Sequence, residues 1–198
     1  MTLLIVGLVL FLGVHSVRIF ADDWRTAQIA KLGPLGWKGA YAVASAIGLV
    51  LIVVGYGMTR QQPVDLFTPP GWTRHLASLL TLVAFLLLAA AYVPGNRIKA
   101  AVGHPMIAGV KLWAFAHLLA NGRAGDVVLF GAFLVWAVLD FRAARARDRA
   151  DGRTYPRAGV VRDAITVAVG LVAYAVFAMS LHATLIGVLL AILAAVLY

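Results

Sequence analysis

The chain has 198 residues and a formal net charge of +9, from 17 Lys and Arg against eight acids, all of them Asp. Hydrophobic residues make up 63%, above the roughly one half usual for soluble domains. The excess is gathered into blocks, which is the pattern of bilayer spans. There is no cysteine and no glutamate. Disulfides, iron–sulfur clusters, thiolate zinc sites and the Glu-based carboxylate centres of bundle metalloenzymes are therefore excluded. A basic chain raises nucleic acid as a partner, but no polar segment is long enough to form a binding domain. Cationic loops facing anionic membrane lipids account for the charge instead. The length suits a single domain over 1–198.

The first apolar block, residues 2–17, carries no charge and ends at Arg18. It lacks the basic flank and the small-residue cleavage site of a signal peptide, so a retained first helix is expected. A second span covers 39–58. A third covers 75–92 and is closed by Val93-Pro94-Gly95. A fourth covers 100–119, with Lys111 inside it, and a fifth covers 127–139. The fifth is short, and the Ala/Arg-rich stretch 142–147 reads as its helical continuation into water. From Ala164 to Tyr198 there are 35 residues without an acid, Lys or Arg. One helix of that length would be about 52 Å long, against a hydrocarbon core of about 30 Å, so a break is expected at His182-Ala183-Thr184. Residues 185–198 would then form a short C-terminal helical segment. The expected fold is an all-α, multi-pass membrane bundle of about six spans.

Basic residues set an orientation. With the N-terminus outside, the inward loops carry Arg18, Arg25, Lys31, Lys38, Arg97, Lys99 and seven arginines from Arg142 to Arg162, thirteen in all. The outward loops carry only Arg60, Arg74 and Arg123. This is the positive-inside pattern, with the Arg-rich loop 142–162 in the cytoplasm.

Ionisable groups within spans are costly and mark candidate function. All five histidines (His15, His75, His104, His117 and His182) lie in or at the ends of apolar blocks. A single such histidine is as readily a hydrogen-bonded packing residue. Five together, with little other polar chemistry, point to a cofactor held on imidazole. Catalytic zinc needs three ligands and a water. A haem needs one or two axial ligands in an apolar slot, which spans rich in Leu, Val, Ala and Gly can line. Haem is the simplest fit.

The stretch from Gly103-His104-Pro105-Met106 through Lys111-Leu112-Trp113-Ala114-Phe115-Ala116-His117 to Asn121-Gly122, with Gly13-Val14-His15-Ser16 in the first helix, resembles the signature of the NnrU family. That family is associated with nitrite and nitric oxide reduction in denitrifying bacteria, and its relatives include the haem b membrane enzymes that isomerise 15-cis-zeta-carotene. The resemblance implies a haem b on His15 and His117, with His104 as another family histidine. It also implies either an accessory or redox role with a denitrification or redox partner, or a haem-dependent isomerase acting on a polyene or other lipid-soluble substrate. The isomerases carry Cys directly after the Trp; here that position is Ala114, so a thiolate mechanism has no donor.

The spacing leaves the second ligand open. His117 lies 13 residues beyond His104, roughly 20 Å along a helix. On depth alone His15 pairs better with His104. Thirteen steps also turn a helix by roughly 220° beyond full rotations, which puts the two histidines on opposite sides and disfavours two haems. Trp113, four residues before His117, can wall a slot or simply pack. Lys111 is placed to neutralise a propionate or to pair with Asp140, and Arg18 to meet a propionate at the interface or to anchor the helix end.

The charge bias gives a topology test. In intact cells, a single cysteine introduced as Gln62→Cys is expected to react with an impermeant maleimide, and Arg147→Cys only after permeabilisation. Labelling of position 147 from outside would reverse the orientation.

Overall fold

The computed structural model describes residues 1–184. Seven α-helices follow one another: α1 (Thr2–Phe20), α2 (Asp22–Gln61), α3 (Trp72–Tyr92), α4 (Arg97–Val102), α5 (Pro105–Ala120), α6 (Ala124–Ala150) and α7 (Val160–Val176). A π-helical turn, Phe177–Leu181, extends α7. Among the described residues there is no strand, only an isolated bridge between Asp65 and Arg123. Five helices, α1, α2, α3, α6 and α7 with its extension, are long and apolar enough to cross a membrane. The remaining expected span is α5, whose 16 residues reach about 24 Å.

The expected boundaries shift where backbone chemistry intervenes. The second span, expected from residue 39, sits in the part of α2 that begins at Pro34, after a break at Gly33 (φ 71°, ψ 162°) that sets it off from the helical stretch starting at Asp22. Glycine tolerates this conformation, and Pro34 restarts the helix with its fixed φ. The fourth span begins at Pro105 rather than at residue 100. Gly103 takes φ 78° and His104 leaves helical geometry, which splits off α4. The fifth span does continue through the arginines, as far as Ala150. At the end of α7 the helix widens at Phe177–Leu181, and His182 and Ala183 remain helical. The expected segment 185–198 lies outside the described residues.

The helices pack as a row in the order α2, α1, α6, α5, α3, α7. Large apolar side chains such as Val9, Val43, Val135 and Val172 face outward, while Ala84, Ala90, Ala114, Ala116 and Ala137 are buried. Apolar outside and small inside is the arrangement lipid selects, since close backbone approach replaces the hydrophobic drive between helices. The α1–α2 seam shows it most clearly. Gly7 faces Ile52, Gly48 faces Phe11 and Gly55 faces Leu4, each so close that a Cβ would overlap the opposite backbone.

The irregular chain that flanks the α4–α5 pair is hydrogen-bonded within the protein, as irregular chain at membrane depth must be. At its C-terminal end the Gly122 carbonyl accepts from Leu66 N (2.9 Å) and Phe67 N (3.3 Å), and the Val64 carbonyl accepts from Ala124 N (2.8 Å). At the other end the fully buried Asn96 donates to the Ala90 carbonyl (2.8 Å) and accepts from Lys99 N (2.7 Å).

Gly55→Ala is expected to destabilise the protein by about 1–3 kcal/mol, the usual range for overpacking. Gly13→Ala, at a position where an added Cβ would meet open space, is expected to be neutral or slightly stabilising. Thermal unfolding in detergent, followed by size exclusion, measures both; equal melting temperatures for the two variants would contradict the seam.

Candidate functional site

Helix α6 is the common wall. Its residues Phe130, Phe133 and Trp136 recur every third position, so they form a stripe that turns by about 60° per step, from the α5 side at Phe130 to the α1 side at Trp136. Phe133 touches Phe11 of α1 on one flank (5.9 Å between ring centroids) and Trp113 of α5 on the other (5.6 Å). Trp113 also meets Phe130 (5.2 Å). These contacts join an aromatic seam to the buried Leu4, Leu8, Ile52 and Leu129.

A histidine stands at each end of the seam. His15 stacks on Phe11 (4.2 Å, 29°), with Tyr41 at 5.1 Å and Trp136 edge-on at 6.0 Å. His117 lies over Phe130 (4.5 Å, 30°) beside Trp113 (5.2 Å). The two rings are held alike: His15 Nδ1 is 2.6 Å from the Phe11 carbonyl and His117 Nδ1 is 2.9 Å from the Trp113 carbonyl. A carbonyl only accepts, so Nδ1 is the donor, and in the neutral ring Nε2 then keeps its lone pair. This is the hydrogen bond that orients a ligating histidine.

His104 is held differently. Its Nε2 lies 2.8 Å from Asp148 Oδ2 and 3.4 Å from the Tyr155 hydroxyl, which donates to the same carboxylate oxygen at 2.9 Å. Burial, and then the bond to Asp148, raise the Tyr155 hydroxyl above its ordinary pKa, so it stays a donor at neutral pH. This trio ties the loop after α6 to the start of α5.

Depth and rotation both differ from the sequence expectation. His104 caps α5 from outside its helical residues, so the 220° turn does not apply to it. Both His104 and His117 reach α6, the former at Phe141 (6.5 Å) and Asp148. His15 meets α6 at Trp136, between Phe130 and Phe141. The intervals are six and five residues, about 9 and 8 Å of helix axis, so depth no longer favours His104.

The other sequence candidates fall into place around this frame. Lys111 does not pair with Asp140; its ammonium lies over the Phe141 ring, 4.6 Å from the centroid. Asp140 instead faces Arg147 at 4.0 Å. Helix geometry explains the exchange, because Arg147 lies seven residues, two turns, beyond Asp140 on the same face. Arg18 is exposed, and its carbonyl accepts from Arg147 (3.4 Å). Trp113 walls the seam. Ala114 is fully buried. His75 and His182 are exposed on the bundle surface.

Asp148 and Tyr155 escaped the sequence reading, because their pairing with His104 crosses a loop. So did the α6 stripe, which the three-residue spacing of Phe130, Phe133 and Trp136 does signal. At the far end of the seam, Tyr56 donates to the buried Asp126 carboxylate at 2.5 Å, again a pair between distant segments. Among the described residues no group of three His or Asp gathers as a metal site.

No curated protein and no solved structure gives a significant match to the chain. One family model does match, that of the NnrU protein, over residues 3–190. That stretch takes in both seam histidines, the Trp113–His117 turn and the whole of α6. A match across nearly the full chain settles the affiliation: this multi-pass membrane protein belongs to the NnrU family.

Proposed function

We propose that the protein binds haem b between α1 and α5 against the aromatic face of α6, with His15 and His117 as the iron ligands. The observation that carries this reading is the matched anchoring of the two imidazoles, each with Nδ1 hydrogen-bonded to the backbone carbonyl four residues before it, the tautomer that in a neutral ring leaves Nε2 free to ligate. Neutral imidazole in that tautomer, walled by Phe11, Phe133, Trp113 and Phe130, is suited to haem iron. A free zinc or copper ion would call for a larger donor set. His104 is the weaker candidate because Asp148 and Tyr155 already engage its Nε2.

The seam is filled by side chains, and helices α1 and α5 make no backbone contact of their own. Rings that swing aside would open the interval without moving a helix. Side chains lean towards their own helix N-termini, and α1 and α5 run in opposite directions along α6, so the two imidazoles lean towards each other. A bound haem would supply one-electron chemistry; the chain's part is to hold it, exclude water and orient its edge.

The role this best supports is an accessory or redox protein of the bacterial inner membrane, linked to nitrite or nitric oxide reduction as the family's association implies. Its N-terminus would lie outside and the Arg-rich loop in the cytoplasm. An isomerase resembling the zeta-carotene enzymes is the second reading. The buried Ala114 after Trp113 weighs against it, since no sulfur stands where those enzymes carry Cys.

Spectroscopy on purified protein tests the proposal. A pyridine haemochrome assay is expected to give b-type haem, and ferric optical and EPR spectra a six-coordinate low-spin iron that stays six-coordinate on reduction. His15→Ala and His117→Ala are each expected to lose most of the haem, whereas His75→Ala and His182→Ala keep it. A five-coordinate high-spin ferric spectrum would refute the two-histidine arrangement. Loss of haem in His104→Ala with retention in His117→Ala would transfer the second ligand to His104. Rapid carbon monoxide binding by the ferrous form would favour the catalytic reading over electron transfer.

A further inference from the structure

Two buried side-chain polar atoms among the described residues have no hydrogen-bond partner, Ser45 Oγ and Trp136 Nε1. A buried donor without an acceptor forfeits its hydration and gains nothing in return, and an indole N–H usually finds a partner when buried. Trp136 is the ring that stands edge-on to His15. Its N–H is thus an unmet donor at one end of the seam.

Arg147 supplies charge on the same face. From Trp136, Asp140 lies four residues on and Arg147 eleven, which is about 40° and 20° of helix rotation beyond whole turns. The three form a stripe that faces α1, because Trp136 meets His15 and the Arg147 guanidinium bonds the Arg18 carbonyl. That guanidinium has five N–H donors. Its contacts are long: 3.4 Å to the Arg18 carbonyl and 4.0 Å to Asp140.

At the opposite end of the seam the polar groups are already paired. There the buried carboxylate of Asp126 takes the Tyr56 hydroxyl, and Arg123 is engaged with Asp65 at the surface (3.6 Å). A carboxylate placed beside His117 would meet another carboxylate. One placed beside His15 would also find a carboxylate, that of Asp140, but with it an unmet N–H and the Arg147 guanidinium.

We propose that Trp136 and Arg147 receive the two carboxylates of the bound haem, so that its propionate edge points to the Arg-rich end of the bundle beside His15. The inference rests on the haem reading and adds the orientation and two binding residues. The Trp136 N–H donates to one carboxylate oxygen, and Arg147 swings off Asp140 to pair with a second.

Binding of haem and of haem dimethyl ester to the purified full-length apoprotein in detergent separates the possibilities. The ester keeps the iron and the macrocycle but has no carboxylate. Wild-type protein is expected to bind haem roughly tenfold more tightly than the ester, the scale of one charge-assisted hydrogen bond. Trp136→Phe and Arg147→Gln are each expected to weaken haem binding several-fold and to leave ester binding unchanged, so that the preference falls towards one. Equal affinity of the wild type for haem and ester, or full retention of the preference in both variants, would overturn the assignment while leaving the haem reading intact. Failure of the wild type to bind either compound would remove the haem reading and this inference together. If a variant elutes as aggregate, the wild-type comparison and the other variant decide.

Discussion

Phe133 of α6, lodged between Phe11 of α1 and Trp113 of α5, is the contact on which the architecture turns. The helices of the α1–α2 pair and those of the α5–α3–α7 group make no backbone contact with each other. They are held side by side because both press aromatic side chains against the same face of α6. Each such ring pair contributes about 0.5–1.5 kcal/mol beyond its buried area. In lipid, where apolar burial no longer drives helices together, packing of this kind and close small-residue contact supply the association.

That division of labour separates rigid from adjustable regions. The α1–α2 seam is closed by glycines and admits no added atom. The interval between α1 and α5 is bridged by side chains, which have rotamers to exchange. The proposed haem would enter there, where His15 and His117 stand at the two ends. The polar trio of His104, Asp148 and Tyr155 lies beyond the seam and fastens the loop that follows α6. It is a polar tie between α6, the loop after it and the start of α5.

The seam also has a polarity. Asp126 with Tyr56 closes one end, and Trp136 with Arg147 waits at the other. Because low-dielectric surroundings magnify charge effects, these few residues would orient the haem proposed above. Ala114, buried directly after Trp113, places no sulfur at that position.

Hydropathy alone determined that this is a helical membrane chain, because long apolar blocks without charge have no other stable place. The extension of α6 through Ala150 and the packing role of Trp113 were equally legible, since both follow from helix periodicity. The start of α5 was not: Gly103 and His104 leave the helix through a local φ that a hydropathy window averages away, and the short helix that results is tolerated only because Val64, Leu66 and Phe67 satisfy the backbone at its far end. Nor could spacing assign partners. His104 and Lys111 sit seven residues apart in one motif, yet one is bound to Asp148 and the other lies over Phe141. Those pairings depend on the rotation and depth of α6 against α5. Such rotation is set by the sum of many small packing terms, which tertiary structure resolves and periodicity does not.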